Sequence, residues 1–551
     1  MLLALPITSA IAQAPSQLPS GAVPGRELPQ PLMVAPPGPG GSIVVPRASA
    51  AEAPAGAEQV SFTLTAVDIQ GATAFSAAEL QTSYAALLGK QISVADAFKI
   101  ANEIELKYRG AGYVTSRVLV PEQAIEGGRF RIAVVEGFIS SIVVQGDIGP
   151  AKAAIERLLA PLVNVTPVNV AEIERRLLLA NDLAGLTVRG NLEPAANTPG
   201  ASVMVVKSER KDYDASLTLD NRNSPYLGGA EWLGSASWNS FGSNADQLSL
   251  RLKQSSPWGR SWSVGGGYSG LFSDDGLTAS FNSSFARSYP AKELKRLEIQ
   301  SDVLTNAASV TYPLIRSRME NLRLTGEFEY RMVDTDLSQA PYNRDRLSIL
   351  RAGISYDRTD SFDGISAIRA TMHRGLDILN ATDAGDPLAS RSDGHSSYTK
   401  WSLDLTRVQQ LPASFSLLGT ATGQYTRTPL LASEEIALGG PSFGRGFDTG
   451  EVSGDNGWAV SLELRYTPEW LQAAFPDGMQ LYTFIDRGQV WNIGSVTPTN
   501  DRINVTTAGG GFRVNITKNL FASLELARGL SRPQATISDK PKVFFSINTH
   551  F

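Results

Sequence analysis

Few residues in this 551-residue sequence are spaced for covalent chemistry, and Gly440-Pro441-Ser442-Phe443-Gly444 comes nearest, fitting the G-x-S-x-G pattern of a serine hydrolase. That nucleophile elbow needs a preceding parallel strand, a following helix and a later histidine. Here the pentapeptide lies in a Gly/Pro-rich loop after an antiparallel run, and the only later histidine is His550, beside the last residue. His373 and His395 have no neighbouring Cys or His. Plain polarity accounts for them better than a metal site. The acidic pair Glu434-Glu435 reads as solvated loop charge. Cysteine is absent, which removes disulfides, zinc-thiolate sites and thiol catalysis together. No G-x-x-x-x-G-K loop occurs to hold a nucleotide, and a formal charge of -5 leaves no basic footprint for nucleic acid. The expectation is no catalytic residue, no metal, no cofactor and no enzyme.

The elements that would position the remaining candidates fall into distinct stretches. Residues 1–14 read MLLALPITSAIAQA and close on Ala12-Gln13-Ala14, the small-x-small pattern of a signal-peptidase site. No Lys or Arg precedes the apolar run, so this is either a clipped signal peptide or a chance apolar end. Residues 15–58 are dominated by Pro, Gly, Ala and Ser, which predicts an extended, mobile linker.

Two β-α-α-β-β units follow, over 59–137 and 138–208. In the first, Val60 to Gly71 alternates like a strand, Ser76-Ala77-Ala78-Glu79 is a capping box opening a helix through about Leu88, and Ser93 caps a second. Val94, Phe98, Ala101, Ile104 and Tyr108 give that second helix one apolar stripe, ended by Gly110 and Gly112. Val114 to Val120 and Phe130 to Val135 read as a strand pair. The second unit repeats the order: a strand at Ile139 to Val144, a helix from Gly149-Pro150, another capped by Asn169 with Glu172, and strands at Leu186 to Val188 and Val203 to Val206.

From 209 to 551 helical periodicity gives way to alternation, beginning at Ala215/Leu217/Leu219 and ending at Val543/Phe545/Ile547/Thr549/Phe551. There are about sixteen such segments, an even number, as a closed antiparallel transmembrane barrel requires. Alternation by itself also fits a soluble sandwich. Aromatic residues near strand ends, among them Trp232, Trp238, Tyr330, Tyr425, Trp458 and Tyr466, favour interfacial girdles and the membrane reading.

These residues resemble the two-partner secretion outer-membrane transporters of the hemolysin secretion/activation type. Gly112-Tyr113-Val114-Thr115-Ser116-Arg117, then Pro121-Glu122-Gln123 and Val134-Val135-Glu136-Gly137, look like that family's first POTRA (polypeptide-transport-associated) domain. Tyr312-Pro313-Leu314-Ile315-Arg316-Ser317 is similar to a barrel segment of the family. Gly444-Arg445-Gly446-Phe447 resembles its R-G-[FY] motif at the tip of the sixth extracellular loop, with glycine before the arginine where many relatives carry valine. Phe484-Ile485-Asp486-Arg487-Gly488 resembles the F-x-D-x-G motif on the next inner wall.

The resemblance implies a sixteen-stranded barrel in the Gram-negative outer membrane with two periplasmic POTRA domains beneath it. The partner would be an unfolded exoprotein with an N-terminal secretion domain, met at Tyr113, Arg117, Pro121 and Gln123 and exported without ATP. Outer-membrane lipid and, during biogenesis, the barrel-assembly machinery would be the other partners, with Phe551 ending the assembly signal. Arg445 and Asp486 would clip loop six to the wall through two charge-assisted bonds. Many relatives carry an N-terminal plug helix, for which residues 15–57 are too rich in Pro and Gly. The plug is then either missing or replaced by the linker. An assembly factor of the same superfamily is the alternative, though such factors usually carry more POTRA domains.

Overall fold

Sixteen antiparallel strands close into one barrel in the computed structural model of the chain. Residues 20–22, 43–44, 52–195, 198–475, 478–494, 502–531, 533 and 540–551 are described. The expected signal segment at 1–14 and most of the linker lie outside them.

The barrel strands are β1 (Tyr213–Asp220), β2 (Ala230–Asn239), β3 (Gln247–Ser256), β4 (Ser261–Leu271), β5 (Thr278–Ser288), β6 (Ile299–Arg316), β7 (Glu320–Leu337) and β8 (Ala340–Thr359). Then come β9 (Gly364–Leu376), β10 (Thr399–Gln410), β11 (Phe415–Thr426), β12 (Asn456–Tyr466), β13 (Met479–Trp491), β14 (Ile503–Thr517), β15 (Leu520–Gly529) and β16 (Lys542–His550). β16 returns to β1 through the register Ser216↔His550 to Asp220↔Ser546. Each strand matches one alternating segment of the sequence.

Burial settles what alternation left open. Outward residues such as Leu248 (50%), Leu252 (51%), Phe281 (51%), Trp401 (52%) and Leu462 (52%) are half exposed around the whole barrel. A soluble protein does not leave so continuous an apolar belt in water, whereas hydrocarbon is its natural solvent. The charged alternates point inward, where Glu329 and Arg331 are almost fully buried.

The first periplasmic unit has the sheet order Ala66–Gln70, Arg129–Val135, Arg117–Leu119. It is packed on the helix Val94–Gly110 through Ala97, Ile100, Ala101, Ile104 and Tyr108. Both capping boxes form, at Ser76 and Ser93. The first helix is shorter than expected: it spans Ala77–Gln81 and gives way to a 3-10 turn at Ala85–Leu87. Thr82, Ser83 and Tyr84 are weak helix formers and end it. The alternating stretch Val60 to Gly71 likewise divides into Ser61–Thr63 and Ala66–Gln70.

In the second unit Asn169 caps the helix Val170–Asn181, but Glu172 pairs with Arg176 at 2.7 Å rather than reaching back to the cap. That helix seats the unit under the barrel. Arg176 donates to the Asp274 carbonyl and to Asp275, and Asp182 takes a bidentate pair from Arg316 at 2.7 Å each. Leu179 packs on Gly276, where a Cβ would stand 2.8 Å from it.

Two short pieces of the linker stretch are held rather than mobile. Ile43–Val44 adds a parallel strand beside Gly190 and Asn191 of the second unit. Ala22 is buried against Leu294 and Ile299 at the other end of the barrel.

Candidate functional site

The end of the barrel away from the two small units carries the long connection 427–455 between β11 and β12, the sixth at that end, and it folds back into the lumen. Inside it, Ile436–Leu438 pairs with Val452–Gly454 as a small hairpin. Glycines on the wall admit that hairpin: a Cβ at Gly488 would stand 2.7 Å from Leu438 Cδ1, and one at Gly457 2.9 Å from Ile436 Cγ2. Phe443 and Phe447 complete a small apolar core with Val452, Ala459, Val490 and Val505. Gly444 has φ +78°, a conformation that glycine adopts without strain. Gly446 passes so close to β15 that a Cβ would stand 2.5 Å from the Arg528 carbonyl carbon.

This packing aims Arg445 at the inner wall. Alternation on β13 turns Tyr482, Phe484, Asp486 and Gly488 inward. Arg445 donates from Nη2 to Asp486 Oδ1 at 2.9 Å and from Nε to Oδ2 at 3.2 Å, while Nη1 reaches Glu463 Oε2 of β12 at 2.6 Å. Asp486 Oδ2 also accepts from the backbone N–H of Gly444 and Arg445 and from the Thr507 hydroxyl of β14. The guanidinium lies over the Phe484 ring, 3.4 Å from its centroid. Arg513 carries the network on by donating to both Glu463 oxygens at 2.7 and 3.1 Å. Glu525 accepts from Tyr482 at 2.8 Å and from Arg222 at 2.6 Å. Arg465 also donates to Glu463 at 2.8 Å, so four arginines face three carboxylates. Removing Arg445 would leave Asp486 without its cation, at about 3–5 kcal/mol for a broken buried pair, while Glu463 would keep Arg465 and Arg513.

A second cluster lies further round the lumen wall, at β10 and β7, and it corrects the reading of Glu434-Glu435 as solvated charge. Glu434 is 2% and Glu435 6% exposed. The Glu434 carboxylate meets Lys400 at 2.7 Å, Arg331 at 3.1 Å and the Tyr398 hydroxyl at 2.7 Å. At the loop's end Asp455 accepts from Arg391 at 2.6 Å and from the N–H groups of Leu430 and Ile493. The sequence signal for Arg331 and Lys400 is their inward parity on the strands, which separates a lumen charge from an exposed one only after the register is known. Away from the loop, a cavity of about 550 Å³ is lined by Ser216, Ser235, Ser249, Ser269, Ser280 and Asn282, among others.

The other singled-out residues are dispersed. In the first small unit Tyr113 packs edge-on against Phe75 in the core, and Arg117 lies 3.6 Å from Glu105. Gln123 holds the backbone of Arg131 with both ends of its amide, at 2.7 and 2.8 Å. Pro121 is partly exposed beside it, and Phe551 is exposed past β16, its N–H donating to the Ala215 carbonyl. His373 lies in the lumen, accepting from Arg351 at 3.0 Å. Ser442 sits in a turn with no helix after it, so the elbow geometry is missing. Among the described residues no group of three or more His, Asp or Glu is placed to hold a metal.

With this geometry in view, comparisons with known proteins are consistent. The family described as haemolysin secretion/activation protein ShlB/FhaC/HecB matches residues 200–514, and the POTRA domain, ShlB-type, matches 62–137. The heme/hemopexin transporter protein HuxB of Haemophilus influenzae is 26% identical over 394 residues, covering 70% of this chain and 69% of that one. The outer membrane transporter CdiB of Escherichia coli is 23% identical over 422 residues, covering 76% and 71%. Among solved structures, CdiB from Escherichia coli superposes with TM-score 0.75 at 21% identity over 94% of both chains. BamA from Haemophilus ducreyi lacking POTRA domains 1–3 gives 0.53 at 12% identity, covering 89% and 100%.

Proposed function

The chain belongs to the haemolysin secretion/activation protein family, outer-membrane transporters with periplasmic POTRA domains, and on that premise we propose that it exports one partner exoprotein across the outer membrane. The observation that carries this reading is a closed barrel with loop six folded into its lumen and a periplasmic unit seated on its mouth. An unfolded chain captured below would enter beside loop six, along the open cavity. The family is one of transporters, not enzymes, and the charge network at Arg445 serves as an anchor.

Capture fits the POTRA units through strand edges. The three-residue strand Arg117–Leu119 forms one edge of the first sheet, with Leu119 half exposed beside it. An extended segment of the exoprotein would add there by backbone hydrogen bonds. Tyr113 and Gln123 would act indirectly, by holding that edge in place, while Arg117 and Pro121 would touch the cargo. With no G-x-x-x-x-G-K loop in the sequence, folding of the cargo outside would give export its direction. Phe551, with the apolar face of β16, would be read by the assembly machinery.

The test is deletion of the gene followed by comparison of surface and secreted proteins. Export predicts the loss of one large exoprotein from the outside. An unchanged secretome with depleted outer-membrane barrels would replace this reading with an assembly factor.

A further inference from the structure

Loop six carries charges of both signs into the lumen, and they go to different stretches of the wall. Arg445, at the tip, meets β12 and β13. Glu434, near the loop's start, turns the other way to Lys400 of β10, Arg331 of β7 and Tyr398, where it is 2% exposed. The backbone joins in: the Ser433 carbonyl accepts from Arg331 at 3.2 Å, and the Glu434 carbonyl accepts from Lys400 and from Gln424 of β11, each at 3.0 Å. Arg331 pairs further with Glu329 at 2.7 Å, and Arg351 bridges Glu329 and Glu327 at 2.7 and 2.6 Å.

We propose that Glu434 is a positioning residue that clasps the first limb of loop six to the β7–β10 wall, and that this clasp, together with the Arg445 anchor, sets how far loop six occludes the pore. A loop tethered at one point can pivot; one tethered at two separate stretches of the wall cannot. The charges on that wall also require the loop. Arg331, Arg351 and Lys400 pair there with Glu327 and Glu329 of the strands and with Glu434 of the loop. Withdrawing the loop limb, or neutralising Glu434, leaves an excess cation facing the lumen.

The proposal rests on the transporter reading above, but its test needs no cargo. The full chain is purified and inserted into planar lipid bilayers under a potassium chloride gradient. Glu434→Gln is expected to raise mean conductance severalfold and to move the reversal potential toward chloride, with the heat-modifiable migration of a folded barrel retained. Glu434→Asp is expected to keep the wild-type selectivity. A folded Glu434→Gln barrel with wild-type conductance and selectivity overturns the clasp. Should Glu434→Gln not fold, Tyr398→Phe decides: removing one hydrogen bond to Glu434 is expected to give a smaller rise in conductance, and no rise overturns the proposal.

The absence of cysteine allows a charge test at the same position. In Glu434→Cys, a sulfonate-bearing methanethiosulfonate should restore the wild-type reversal potential and an ammonium-bearing one should not. Equal responses would make the effect steric and overturn the clasp. A failed deletion test would remove the export reading without altering any of these bilayer outcomes.

Discussion

The two sides of the lumen are built from different side chains. The β12–β16 side presents Glu463, Asp486, Tyr482, Arg513 and Glu525 inward, bound to one another and to loop six. Across from it, the aligned inward rows of β4, β5 and β6 read Gly265, Ser284, Thr305, then Gly267, Asn282, Ala307, then Ser269, Ser280, Ser309. These are small and uncharged. Charges taken out of water need counter-charges and fixed geometry, which only a wall in contact with a loop can offer. Hydroxyls and glycines need neither and hold no passing chain. The side that binds loop six is therefore unsuited to a moving polypeptide, and the bare side suits one.

The contrast breaks most severely at Arg445. Arg445→Ala leaves Asp486 buried without its cation, and a loss of about 3–5 kcal/mol would shift the docked loop toward release by more than about a hundredfold. Export is expected to fall about tenfold or more while the barrel stays inserted, checked by cargo outside the cell and heat-modifiable migration. Arg445→Lys keeps the charge but loses the planar fork and should recover little. Export unchanged in both variants would remove the anchoring role.

Backbone approach comes next. Gly446→Val places a branched side chain where a single Cβ already stands 2.5 Å from the Arg528 carbonyl carbon, and backbone of β15 cannot give way. The loop tip should lift, with export reduced severalfold and protease cleavage appearing within 427–455. Resistance to protease equal to that of the wild type would show that the tip tolerates the shift.

How much of this was legible follows the same division. The sixteen strands were readable because membrane and lumen impose opposite chemistries on alternate residues. The Arg445 and Asp486 segments could be matched to motifs because each is short and local. Glu434 was misread because an acidic pair in a loop looks the same whether the loop hangs outside or folds within. Glu463, Arg513 and Glu525 carry no local signal, since their pairing depends on register across four strands. Ala22 and Ile43–Val44 were hidden by a composition that predicts no structure, and what holds them lies some 150 or more residues away.

On the bare side the expected effects are smaller. Ser249→Trp or Ser280→Trp adds bulk to the open cavity without touching a buried charge, so stability should be unchanged while bilayer conductance falls by about half, an order-of-magnitude expectation from the added ring volume. Ser249→Ala should do nothing measurable. A tryptophan that lowers export no more than alanine would mean that the chain does not pass on this side.

The smallest effect tests the premise that a buried carboxylate requires a cation. Glu136 in the first POTRA unit is 8% exposed, yet its carboxylate is served by neutral groups: the N–H of Thr73 and Ala74, the Thr73 hydroxyl and the Tyr108 hydroxyl. Burial pushes its pKa up, but these donors outweigh it and hold it below the ordinary 4.5. A lowered folded-state pKa stabilises the fold above that ordinary value, and the contribution is lost as pH falls through the folded pKa. Hydrogen exchange at Thr73 and Ala74 in the full chain is thus expected to slow little between neutral pH and 4.5 once intrinsic rates are corrected, then to lose protection below 4.5. Glu136→Gln should lower protection modestly at neutral pH and erase the pH dependence. If the variant keeps that dependence, another group carries it, and neutral donors alone do not hold the buried charge.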